Sequence, residues 1–142
     1  MALAVGTSIT CICAFAFLLW RNGAFLPQWI SWENKTICEK AQQYQVALTD
    51  KEVRVICDEK IVWKSPENVK VQDILLCDID RDMQEELLVL CWKIGRYGKR
   101  MPFWIKEDEK AWSQHIFVYE YQVNKMRPQW MSSYIGQDVI RI

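Results

Sequence analysis

The stretch Asp78-Ile79-Asp80-Arg81-Asp82-Met83-Gln84-Glu85-Glu86 decides how this chain is read. Apolar runs flank it, Ile74-Leu75-Leu76-Cys77 before and Leu87-Leu88-Val89-Leu90 after. Asp78, Asp80 and Asp82 alternate, and Glu86 follows four positions later. A loop this rich in carboxylates repels itself. It needs either a cation or a dense set of hydrogen-bond donors. Hard cations such as Ca²⁺ take about six to eight oxygen ligands. Asp78, Asp80 and Asp82 can turn inward at alternate positions, with the Gln84 backbone carbonyl and Glu86 completing the set. The expected alternative is a metal-free turn compensated by Arg81 and backbone N–H groups. Loops of this kind usually carry glycine at the sixth position, where Met83 stands. A side chain held in a left-handed conformation costs on the order of 1 kcal/mol. The loop is not an EF-hand, because strands flank it and Val89 occupies the twelfth position.

Outward from this loop the pattern is β. Tyr44–Leu48 runs into a turn at Thr49-Asp50-Lys51, and Val53, Val55 and Cys57 alternate with Arg54 and Ile56. Asp58-Glu59-Lys60 turns the chain and Ile61-Val62-Trp63 returns. Ser65-Pro66-Glu67-Asn68 interrupts, since proline cannot donate to a ladder. Further strands are expected at Val69–Cys77, Leu87–Lys93, Phe103–Ile105, His115–Tyr121 and from Pro128 onward. Glu39–Gln43 reads as one helical turn. Short strands separated by turn signals define an antiparallel all-β domain.

The N-terminal segment differs. Ala2 to Trp20 contains no charged residue. At about 1.5 Å per residue a helix of that length crosses a hydrocarbon core. No basic residue precedes it, which disfavours a cleaved leader. Residues 1–21 are therefore expected to be a transmembrane anchor or uncleaved signal. Residues 22–36 form a juxtamembrane linker and residues 37–142 the β domain. Trp20, Trp29 and Trp32 suit a lipid–water boundary. Arg21 and Lys35 alone would favour a cytoplasmic β domain. Asn34-Lys35-Thr36 matches a glycosylation sequon, which has meaning only in a eukaryotic secretory setting.

Other features exclude more than they assert. Lys plus Arg equals Asp plus Glu at 18 each, so nothing global points to nucleic acid. The 6 cysteines lack C-x-x-C spacing in the β domain, which argues against structural zinc. They read as reduced, largely buried thiols, with a Cys38–Cys57 disulfide as the alternative. His115 is the lone histidine and reads as structural, without a nucleophile motif beside it. Lys93, Arg96, Tyr97, Lys99, Arg100, Phe103, Trp104 and Lys106 interleave charge with aromatics. They form either a surface for glycans or lipid headgroups, or a solvated loop whose aromatics enter the core.

The acidic loop and its flanking strands resemble the D-x-D-x-D-G-x-x-D/E-L element of integrin-type (FG-GAP or VCBS) β-propeller repeats. The stretch from Trp63 to Ser133 is similar to bacterial VCBS-repeat proteins, which are membrane-anchored or secreted. The shared features are Trp63-Lys64-Ser65-Pro66, the Asp78 loop, Leu90-Cys91-Trp92-Lys93, Gly95 to Gly98, Pro102-Phe103-Trp104, His115–Tyr119 and Pro128–Ser133. This resemblance implies an extracytoplasmic, single-pass membrane protein that binds or scaffolds, without catalysis, and holds Ca²⁺ between strands. Its partners would be the membrane and a protein or glycan ligand, with oligomer formation as one way to complete a ring. A blade takes roughly 40–50 residues, so residues 37–142 supply about two blades of a partial propeller. Two other readings remain open. One is a small polymer-modifying hydrolase using Asp78, Asp82 or Glu86 as catalytic carboxylates. The other is an accessory subunit whose apolar helix packs within a membrane complex.

Overall fold

The computed structural model describes residues 2–41, 43–97, 101–123 and 125–142, with side chains from Thr10 onward. Helix α1 spans Ala2–Arg21. Eight strands follow: β1 (Lys35–Cys38), β2 (Gln45–Thr49), β3 (Glu52–Cys57), β4 (Lys60–Lys64), β5 (Val69–Cys77), β6 (Glu86–Ile94), β7 (Trp112–Gln122) and β8 (Lys125–Met131). They form two four-stranded antiparallel meanders, β1-β2-β3-β4 and β5-β6-β7-β8. The chain is thus mostly antiparallel β with one helix.

The hairpins follow from local chemistry. Asp50 and Lys51 have φ of 52° and 66°, and Asp58 and Glu59 have 47° and 62°. Thr49 pairs with Glu52 and Cys57 with Lys60, so both connections are two-residue turns with two left-handed positions. That geometry matches the twist of the flanking strands. Pro128 sits on the edge strand β8, where its missing N–H removes no necessary ladder bond. The register of β5 against β6 shifts between Val71 and Asp73, and this bulge carries Gln72.

The core lies between the sheets. Val46, Leu48, Val53 and Val55 from the first meet Val71, Ile74, Leu87, Val89, Cys91, Phe117 and Tyr119 from the second. Period-2 alternation places them there: β2 and β3 bury every second residue. Trp63 packs tilted against Tyr119 at 4.8 Å, and Tyr44 against Tyr121 at 4.4 Å. At the junction of the sheets Val71 donates its N–H to Lys51 O at 2.9 Å. The Ser65 hydroxyl accepts the Val53 N–H at 3.0 Å.

Several expectations need correction. Phe103–Ile105 forms no strand. Its residues lie in a turned loop with Phe103 94% exposed, so the pair Phe103–Trp104 does not enter the core. The described part of 39–43 is turn rather than helix. A first strand begins at Lys35, inside the expected linker. The cysteines are all free, and Cys91 alone is buried while Cys38 is exposed.

Helix α1 forms where the uncharged run predicts it. Among the described residues, no helix is long and apolar enough to cross a membrane. The helix runs along none of the strands. Ile12, Phe15, Phe17 and Leu18 are all more than half exposed. Its C-terminal end is tied down, because Trp112 Nε1–H donates to Trp20 O at 2.9 Å. The following linker folds onto the second sheet. Leu26, Ile30 and Trp92 form a small buried cluster, with Trp32 and Trp112 against it.

Candidate functional site

The β5–β6 hairpin closes at Cys77↔Glu86, and the acidic loop projects from that pair. Carboxylate oxygens of Asp78, Asp80 and Glu86 lie within 4.8 Å of one another. Two oxygens each about 2.4 Å from one Ca²⁺ are at most about 4.8 Å apart, so the three meet the spacing that sharing one ion requires. Exposure grades across the group, with Glu86 buried, Asp78 half-buried and Asp80 exposed.

Backbone N–H groups fill part of the donor demand. Asp78 accepts from Arg81 N–H at 2.6 Å and from Met83 N–H at 3.1 Å. Asp80 accepts from Asp82 N–H at 3.1 Å, and Glu86 accepts from Ile79 N–H at 2.7 Å. Arg81 therefore contributes here through its backbone. Arg81 and Met83 are left-handed, with φ of 66° and 74°. Met83 takes the conformation for which glycine is the usual residue, while its side chain is 93% exposed. Burial is the main force pushing the Glu86 carboxyl above the ordinary range, reinforced by the charges of Asp80 and Asp82 and opposed by the Ile79 N–H.

One expected ligand, Asp82, and one neighbouring carboxylate, Glu85, turn elsewhere. Asp82 lies outside the convergent group and accepts the Gln84 N–H at 2.8 Å. The Gln84 amide reaches toward the other Asp82 oxygen at 3.5 Å. Glu85 leaves the cluster altogether. Its carboxylate binds Lys40, with Nζ at 3.0 Å and the Lys40 N–H also at 3.0 Å.

Beside the acidic loop, the outer face of the second sheet opens as a groove of about 620 Å³. Leu88, Ile116, Val118 and Trp130 line it, with Asp80, Glu86 and Glu120 among its polar groups. Glu120 is hydrogen-bonded by the Gln129 amide. Alternation alone could not distinguish this face from the core, since β6 and β7 are apolar on both sides.

Two polar constellations escaped the sequence reading. Gln72 and Gln114 are buried on the outer face of the second sheet. Gln72 Oε1 accepts Trp92 Nε1–H at 2.8 Å and Gln114 Nε2–H at 2.9 Å. Gln114 also grips the C-terminal segment, donating to Val139 O at 2.7 Å and accepting Val139 N–H at 2.8 Å. Glutamines inside apolar strands were the available signal. The second constellation is Ser113 and His115, two apart on β7 and both buried. Ser113 Oγ lies 2.8 Å from His115 Nε2, and His115 Nδ1 lies 3.1 Å from Ser132 O. The carbonyl only accepts, so Nδ1 carries a proton. The single Ser113 hydroxyl proton is shared between His115 Nε2 and Gly95 O, the latter also at 2.8 Å. His115 is 0% exposed, so this pair has the contacts of a nucleophile–base dyad without substrate access and is structural.

Compared with known proteins, the chain matches no family model, no curated protein and no solved structure.

Proposed function

We propose that this chain is a non-enzymatic binding or scaffolding module, held at a membrane by its N-terminal helix, with the β domain outside the cytoplasm. Its acidic hairpin takes Ca²⁺ as a structural ion. The observation that carries the metal reading is the convergence of Asp78, Asp80 and Glu86 within 4.8 Å at a hairpin tip. Oxygen-only ligands of this kind select hard cations. The four-stranded meanders support the blade reading, and together they make about two blades. The uncharged run from Ala2 to Trp20 and the exposed apolar side chains of α1 support the membrane reading. The open apolar face of the second sheet is where a protein or glycan ligand, or further sheets, would be accommodated.

Thermal unfolding of the full chain in detergent, with and without millimolar Ca²⁺, tests the metal. An upward shift that Asp80→Asn and Glu86→Gln both abolish is expected. No shift in the wild-type chain sinks the metal reading.

The groove beside Asp80 and Glu86 favours a second reading, a hydrolase acting on a largely apolar substrate. Paired carboxylates with separated pKa values can do acid–base work. Asp78 is absent from the groove lining and Asp82 lies outside the convergent group, so of the expected catalytic carboxylates only Glu86 borders the groove. Turnover of ester or glycoside probes that Glu86→Gln eliminates would replace the binding reading.

A further inference from the structure

We propose that the end of the second sheet bearing the β6–β7 loop is a contact surface for a lipid bilayer, with Phe103 and Trp104 entering the headgroup region. This deepens the membrane reading above and rests on it. Strand pairing fixes the geometry. Ile94 pairs with Trp112 and Lys93 with Val69, so the β6–β7 loop and the start of β5 share one end of the sheet. The acidic hairpin closes at Cys77↔Glu86, at the opposite end of β6. Nine residues of strand at about 3.3 Å each put roughly 30 Å between the two ends. Helix α1 joins the loop end, where Trp20 O receives the Trp112 indole N–H. Leu18, Arg21 and Asn22 also share a cleft there with Lys70 and Ile94.

At that end two large aromatics stand clear of the fold. Phe103 and Trp104 are 94% and 68% exposed and pack edge-to-face on each other at 4.8 Å. The base of their loop is held firmly. The Asp108 carboxylate accepts the N–H of Arg96 at 2.7 Å and of Tyr97 at 3.1 Å. Gly95 donates to Ala111 O at 3.0 Å. A fixed base with an apolar tip is a presented surface, and the two adjoining rings make it one contiguous apolar patch, the kind of exposure that marks an interaction site. The composition selects lipid. Trp and Phe beside Lys and Arg suit the lipid–water boundary. Lys106 follows the pair, Lys99 and Arg100 precede it in the sequence, and Arg21 ends the adjacent helix. Acidic groups are present in this region too: Asp108 is occupied by backbone N–H groups, Glu109 pairs with Arg96 at 3.4 Å, and Glu107 stands exposed next to Lys106 in the chain. The C-terminal end of α1, whose apolar side chains are exposed, meets the sheet at this same end. In this arrangement the acidic hairpin points away from the bilayer.

The test uses the full chain with phosphatidylcholine vesicles, with and without phosphatidylserine, containing lipids brominated near the headgroup. Flotation reports the anchor. The contribution of Trp104 is the difference in bromine quenching between wild type and Trp104→Phe, an exposed substitution that leaves the fold intact. We expect the chain to float and Trp104 to be quenched. Omitting phosphatidylserine, or introducing Lys106→Gln, should weaken the loop contact about fivefold. A chain that fails to float overturns the anchor and the surface together. Floating without any Trp104 contribution overturns the surface alone. A self-associated form in detergent that Trp104→Phe disperses would assign the pair to a second copy and equally overturn the lipid contact.

Discussion

Met83 lies five residues after Asp78 and donates its N–H to Asp78 Oδ2 at 3.1 Å, and it reaches that bond only by adopting φ of 74°. The loop therefore orients one of its carboxylates through a conformation that costs a side chain on the order of 1 kcal/mol. Met83→Gly should relieve this strain, partly offset by the greater freedom of the unfolded chain. The expected result is a melting temperature about 1–3 °C higher and tighter Ca²⁺ binding in titration calorimetry. Weaker binding would show that the Met83 backbone is not limiting.

This loop shows how much was legible beforehand. Alternating aspartates fixed their own identity, and the left-handed sixth position followed from the ligand pattern. What spacing could not reveal was the departure of Asp82 to Gln84 and of Glu85 to Lys40, because the first depends on a local turn and the second on a turn distant in sequence. The strands were readable wherever one face was buried, as at Val46 and Val53. Strand β1 was hidden because it is four residues long and alternates only partial burial at an edge. Phe103–Ile105 misled because apolar composition was taken for a strand where no partner strand exists. The outer groove was invisible because residues such as Leu88 and Val118 read the same whether protein or solvent faces them.

His115 gives the fold a weakness toward mild acid. Burial, helped by the nearby Lys93 charge, holds its pKa below the usual histidine value against the pull of neighbouring carbonyls. The unfolded chain takes up a proton near pH 6.5 that the folded chain resists. Stability is then complete above about pH 6.5 and falls as pH drops toward the depressed native value. Urea unfolding from about pH 5 to 7 should show this slope in wild type. In His115→Gln the slope should flatten, whatever the absolute stability of the variant.

Asp73 acts in a lower window. Burial would raise its pKa, but Lys35 at 2.9 Å and the N–H groups of Ile142 and Ile74 outweigh that and leave it lowered. The stabilisation it gives is present above the ordinary aspartate range near pH 3.8 and is lost as pH falls through the lower native value. Lys35→Met should lower stability at neutral pH and change it little below the aspartate range, so the loss of stability on acidification becomes shallower. Unchanged neutral stability would show that the backbone donors suffice.

The C-terminal segment and the second sheet are coupled through Gln114. Its amide pairs with both backbone groups of Val139, and Gln72 donates to Ile140 O at 2.7 Å. Gln114→Leu should cost about 1–3 kcal/mol by stranding these partners. That corresponds to roughly 3–10 °C in melting temperature. Deleting residues 138–142 should act on the same interaction. Combining the two should therefore cost clearly less than the sum of the separate effects. Strict additivity would mean that the tail and the glutamines are independent.

Gly95 ends β6 with φ of 92°, and a Cβ there would stand 2.5 Å from Asp108 Oδ2. Alanine is opposed twice, by the backbone conformation and by the carboxylate that caps Arg96 and Tyr97. Gly95→Ala should cost about 1–3 kcal/mol. Asp108→Ala removes the clash but also the acceptor of the Arg96 and Tyr97 N–H groups, so the double variant should lose less than the sum of the two single losses. Hydrogen exchange at Arg96 and Tyr97 gives a local readout, with faster exchange in both single variants. If Gly95→Ala melts like wild type and its exchange is unchanged, the loop base is not the rigid platform on which Phe103 and Trp104 are presented.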